Sequence, residues 1–195
     1  MPKVSEAHLA ARRQQILDAA QRRFLRNGFH ATSMQDVLAE AGMSAGAVYR
    51  YFRGKDEIIA AIAARYSGEM IGTLTEAIDD PHLSLVEVMH RAAGLVEANA
   101  GPDGSLRLAV QVWAEALRDE AVARIARKVL NNLRASFVQL AKRAVSTGEL
   151  PADTDTAGTG ATLFALVVGY AVQRVVTGAP DLRTYRRGLR ALLTR

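Results

Sequence analysis

Apolar residues fall at steps of three and four along nearly the whole chain, and no stretch alternates apolar with polar positions for more than a few residues. Strands have nothing to be built from, so the pattern predicts an all-α fold. Ile16, Leu17, Ala20, Phe24 and Leu25 share one face of a first helix, from about Ser5, which stops at Asn27-Gly28. Ser33 can cap a short second helix bearing Val37, Leu38 and Ala41 and ended by Gly42. Ser44 can cap a third, whose Val48 and Phe52 lie one turn apart and face inward. Two short helices joined by a tight Gly-containing turn, after a longer supporting helix, make a helix-turn-helix arrangement. Beyond Arg53-Gly54 the spacing predicts helices over about 55–79, 81–99 (opened by Asp80-Pro81 as cap and first turn), 106–117, 119–146 and 154–177. A last one follows Gly178-Ala179-Pro180-Asp181, for about nine in all. Two domains are expected, a helix-turn-helix domain over 1–54 and a helical domain over 55–195.

Charge divides at the same place. Residues 1–55 hold nine bases (Lys3, Arg12, Arg13, Arg22, Arg23, Arg26, Arg50, Arg53, Lys55) and four acids (Glu6, Asp18, Asp36, Glu40), a net of +5 that equals the formal charge of the whole chain. Such an excess in one segment suits a polyanionic partner, while the neutral remainder does something else. Cysteine is absent, which excludes disulfides and thiolate metal sites and fits a reducing compartment. The N-terminal residues lack an apolar signal core, so a cytoplasmic protein is expected.

Residues 156–173 carry no charge. A run of that length sits at the lower limit for a membrane span. Gly158, Gly160, Gly169, three threonines and Gln173 interrupt it, so a helix buried on two sides, by its own domain and by a second subunit, is the expectation. Gly160, Gly169, Val172 and Val176 are the candidate dimer positions.

Between about Arg13 and Ile62 the chain resembles the TetR family of bacterial transcriptional regulators. Phe24 with Gly28, Thr32-Ser33, Val37, Ala41-Gly42, Ser44, the block Tyr49-Arg50-Tyr51-Phe52 and Lys55 carry the resemblance. It implies a DNA-binding head on a regulatory, dimerising body. The residues themselves admit that role. Ala45, Gly46 and Ala47 would let the backbone of the third helix approach base edges, and Arg50, mid-helix, could reach a guanine or a phosphate. Tyr49 and Tyr51 offer hydroxyls to phosphates, or else serve as partly buried aromatics; Lys55 adds a point charge. Thr32 and Ser33 could bind a phosphate at the start of the second helix, Ser33 and Ser44 being helix caps in any case.

In the body, Leu85, Met89, Trp113, Leu117, Phe137, Phe164, Val167 and Tyr170 either form a filled core or line a pocket for a small apolar or aromatic effector. No cofactor is called for. No HExxH, phosphate-loop or nucleophile motif is present, and the closest approach to a metal half-site, Glu87 with His90, has no second half. An enzyme is therefore not expected. The expected function is a repressor that binds a palindromic operator as a homodimer and is released by a small molecule. The rival is a ligand-independent or architectural DNA-binding protein whose body only dimerises.

Overall fold

The structure, a computed structural model, describes residues 6–194. Among them run nine helices: α1 Glu6–Asn27, α2 Met34–Ala41, α3 Ala45–Tyr49, α4 Lys55–Asp79, α5 Leu85–Asn99, α6 Ser105–Glu115, α7 Glu120–Ser146, α8 Thr156–Thr177 and α9 Leu182–Leu193. The chain forms two compact units, one of residues 1–65 with Leu108–Ala126, the other of Tyr66–Arg107 with Arg127–Arg195. The first unit thus runs past the expected boundary at 54 into α4, and it recruits most of α6.

In the first unit α1 turns Ile16, Leu17, Ala20 and Phe24 inward, to meet Val37 and Ala41 of α2, Val48 of α3, Phe52, and Ile58, Ile59 and Ile62 of α4 in a buried core. Each of the large apolar side chains among them contributes roughly 1.5–3 kcal/mol of transfer free energy. Phe24 and Phe29 tilt against each other at 5.1 Å. The serine at position 33 caps α2 as expected, with Asp36 closing a reciprocal box on its N–H. Gly42 ends α2 in the left-handed region at φ 62°, where a side chain would be strained. Ser44 departs from expectation. It occupies the cap position of α3 but makes no side-chain cap bond; its carbonyl accepts from Ala47 and Val48 instead.

The second unit packs α5 against α8 and α9. Its core joins Leu74 and Ile78 of α4, Leu85, Met89 and Val96 of α5, Phe137 and Leu140 of α7, Leu163, Val167 and Tyr170 of α8, and Leu189 of α9. Helix α5 starts later than expected. Asp80 spends its Oδ1 on the N–H of His82 in a turn, and the reciprocal Ser84–Glu87 cap opens the helix at Leu85. Arg143 of α7 closes the other end of α4, donating to the carbonyls of Ala77 and Ile78. Helix α8 is long and apolar enough to cross a membrane by length and composition, and only 28% of its most apolar window is buried within the chain.

Candidate nucleic-acid interface

Ser44, Ala45, Gly46, Tyr49 and Arg50 are exposed, Ala47 and Tyr51 half-buried, and Val48 and Phe52 hold this segment to the core from beneath. A Cβ added at Gly46 would meet nothing within 4 Å, so the small residues leave an open surface. Arg50 lies at the C-cap of α3, not mid-helix as expected, because α3 ends at Tyr49. Its exposed guanidinium therefore swings from a helix end. Arg53, exposed three residues later, was missed among the sequence candidates. Among the described residues neither guanidinium is engaged in an ion pair, which leaves both free for an anion.

Three sequence candidates have other partners. Thr32 is buried, and its hydroxyl donates to the carbonyl of Gly28 at 2.8 Å, closing the end of α1 and not facing solvent. Ser33 donates its hydroxyl to Asp36 at 2.6 Å, and its N–H goes to the same carboxylate at 2.8 Å. These bonds hold the Asp36 carboxyl below its usual range, so the start of α2 carries an anion of its own. That opposes the phosphate site expected there. Lys55 spends donors on the carbonyls of Phe29 (3.1 Å) and His30 (3.4 Å), with its ammonium 4.9 Å from the Phe29 ring centre. Its charge stays near the surface, anchored rather than extended.

The basic charge of α1 is likewise redistributed. Arg22 and Arg23 each come within 2.9 Å of Glu40 of α2, and Arg26 also pairs with it. The Arg22 hydrogen bond, and then Arg26, hold the Glu40 carboxyl below its usual range. Arg13 sits over the Phe52 ring at 5.0 Å, and Gln15 donates to the Ala41 carbonyl at 2.8 Å, seating α1 on the end of α2. Arg50 and Arg53 are thus the bases that project beside α3; Lys3 lies outside the described residues.

The body candidates fall in both units. Leu85, Met89, Phe137, Val167 and Tyr170 are buried in the core of the second, with Phe164 packed partly buried on Phe137 at 5.5 Å between rings. Trp113 and Leu117 belong to the first; Trp113 is half-buried, and Leu117 is 88% exposed in the turn after α6, so it lines no interior. Gly160 is buried against Val138 of α7 in the same chain, where a Cβ would come within 2.6 Å of backbone, so that face is already occupied. Gly169 meets nothing within 4 Å, Val172 is half-buried and Val176 is 67% exposed. Glu87 closes the α5 cap, and His90 Nε2 lies 3.0 Å from the Arg186 carbonyl. Among the described residues no group of three or more His, Asp or Glu is placed to hold a metal.

An open-faced, small-residue helix over a firm core, flanked by free guanidinium groups, is what the first unit presents. Residues 16–62 match the family described as bacterial regulatory proteins, tetR family, and residues 88–195 match the C-terminal region of BetI-type transcriptional repressors. The chain belongs to the TetR family. The transcriptional regulator UidR of Escherichia coli is 26% identical over 181 residues, 93% of this chain and 90% of its own. A transcriptional repressor of Mycobacterium tuberculosis is 49% identical over 63 residues, 32% of this chain and 34% of that protein. The solved structure of Salmonella enterica GusR matches with a TM-score of 0.81 at 26% identity, over 99% of this chain and 100% of that one. The chain is thus a transcriptional regulator with a DNA-binding helix-turn-helix, of a family rich in repressors.

Proposed function

We propose that the chain is a cytoplasmic homodimeric repressor that binds a two-fold symmetric operator and leaves it when a small molecule enters the body. Helix α8 carries the proposal. Gly158, Thr162, Ala165, Gly169, Val172 and Val176 recur along it at steps of four and three, none of them fully buried in the chain. An uncharged, small-residue stripe of that period suits a helix of a second copy. Leu192 on α9 is exposed as well. DNA contact falls to Ser44, Ala45, Gly46, Ala47, Tyr49, Arg50, Tyr51 and Arg53, with Lys55 as a fixed charge behind them.

For the effector, the second unit offers a groove of about 590 Å³ between α4 and α7, bordered by Thr75, Asp79, Ser136, Gln139, Lys142 and Arg143. Ile78 and Ala135 add apolar surface to these polar groups, so the lining suits a small apolar or aromatic molecule that also carries a polar group. Release then follows from differential affinity: a molecule that prefers the conformation with poorer DNA contact shifts the population toward it. Selecting random duplexes on the purified chain should return an inverted repeat, with two chains per duplex in sedimentation. An asymmetric site bound by a single chain overturns the reading.

A further inference from the structure

His30 stands in the α1–α2 connection with its side chain 86% exposed, yet its Nδ1 lies 3.4 Å from Oε1 of Glu115, whose side chain is only 14% exposed. The two are 85 residues apart. Glu115 is the last residue of α6, in the stretch Leu108–Ala126 that clusters with the helix-turn-helix. The main chain of His30 is gripped as well, since its carbonyl accepts from Lys55 at the start of α4. Two and three residues on come buried Thr32, bonded back to Gly28, and Ser33, the cap of α2. The ends of α1 and α6 and the starts of α2 and α4 therefore converge on one short connection.

The α6 side of this seam is loosely made. Gln111 lies one turn before Glu115 on the same helix face, next to buried Leu108 and Val112. Its Oε1 is buried and, among the described residues, has no hydrogen-bond partner. An acceptor stripped of water without a donor opposes docking of that face. Among the described residues, the polar contact between the end of α6 and the connection is the long His30–Glu115 approach, which a small displacement of α6 would break.

We propose that Glu115 is a positioning residue for DNA binding: acting through His30, it fixes the connection that sets α2 and α3. This deepens the proposed function and rests on its DNA-binding reading.

A double-mutant cycle on the full chain tests this, with His30→Ala, Glu115→Ala and the pair measured against the duplex selected by the wild type and against an unrelated duplex of equal length. Each single change should weaken binding of the selected duplex roughly three- to tenfold, and the pair should be no worse than either. Affinity for the unrelated duplex and the melting temperature should stay in place, and Glu115→Gln, which keeps an acceptor, should recover most of the loss. Additive losses, an equal loss on the unrelated duplex, or losses that track melting temperature overturn the proposal. A wild type that selects no duplex would instead strike at the proposed function.

Discussion

Arg174 grips Glu97 with two donors, Nε to Oε2 at 2.9 Å and Nη2 to Oε1 at 2.7 Å, and so ties α8 to α5. Tyr170, one turn earlier on α8, donates to the same Oε2 at 3.0 Å and stacks on Tyr185 of α9 with ring centres 3.9 Å apart. The Arg174 hydrogen bonds, with Tyr170 behind them, hold the Glu97 carboxyl below its usual range, while burial and Glu97 push the Tyr170 hydroxyl up to about 12. The helix proposed to meet a second copy is thereby seated on α5 by a polar clamp.

Stability should depend on pH through that clamp. Glu97 has a lower folded than unfolded pKa, so its contribution is complete above the unfolded carboxylate range and is lost as pH falls through the folded value. Because its side chain is 34% exposed, solvent screens the pair, and Glu97→Gln should cost on the order of 1 kcal/mol near neutral pH. Urea unfolding of both chains should show the gap shrinking as pH falls below the ordinary carboxylate range. A gap that stays constant with pH would mean that Glu97 acts through packing alone.

Arg50 and Arg53 should separate by role. If Arg50, at the end of α3, reads a base edge, Arg50→Ala should weaken the selected duplex by about 1–3 kcal/mol per head and blur discrimination among its variants. Arg53, beyond the recognition helix, should act on phosphate alone. Arg53→Ala should weaken all duplexes alike and lower the log–log salt slope by about 0.9 per head. Equal effects of the two on discrimination would refute the division.

Thr32→Val decides between a cap and a phosphate contact. The change keeps the shape and removes the donor that satisfies the Gly28 carbonyl. About 1 kcal/mol of stability should go, with the salt slope of DNA binding unchanged. Were the hydroxyl a phosphate ligand, the slope would fall while stability held.

What the sequence made legible was whatever is encoded locally. Ile16 and Ala20, or Ile58 and Ile62, declare a helix face by spacing alone, and Ser33 declares a helix start. Positions whose meaning depends on distant partners stayed hidden. Lys55 has the composition of a phosphate ligand, but the carbonyls it binds lie 25 and 26 residues back. Thr32 had the same look, and only the return of the chain at Gly28 buries it. The start of α5 had two competing local signals, Asp80-Pro81 and Ser84 with Glu87; the reciprocal cap prevailed because it satisfies two N–H donors at once. Glu115 gave no signal, being an ordinary polar residue on an amphipathic helix; Gln111 reads from sequence as a group that orients a ligand or faces solvent, and its acceptor is instead buried.

Two glycines of α8 should behave in opposite ways. At Gly160 a Cβ would press on the Val138 backbone, so Gly160→Ala should cost about 1–3 kcal/mol in unfolding. At Gly169 the space within the chain is open, and Gly169→Arg should leave helical content intact. It should nevertheless yield monomers in sedimentation that have lost the operator. A dimer that survives Gly169→Arg would remove α8 from the proposed interface.

Gln111 yields the last prediction, because its burial works against the fold. Its Oε1 has lost water and found no donor, whereas Leu108 and Val112 on the same side of α6 are buried apolar groups. Gln111→Met keeps the length of the side chain and removes the stranded acceptor. Stability should then rise by about 1 kcal/mol, with slower amide exchange across α6, since the face docks without desolvating an amide. A chain thus stiffened should also respond less to any compound that releases DNA, because the seam has become harder to shift. If Gln111→Met instead destabilises, Oε1 is held by a bound water that the substitution strands, and the seam is firm as it stands.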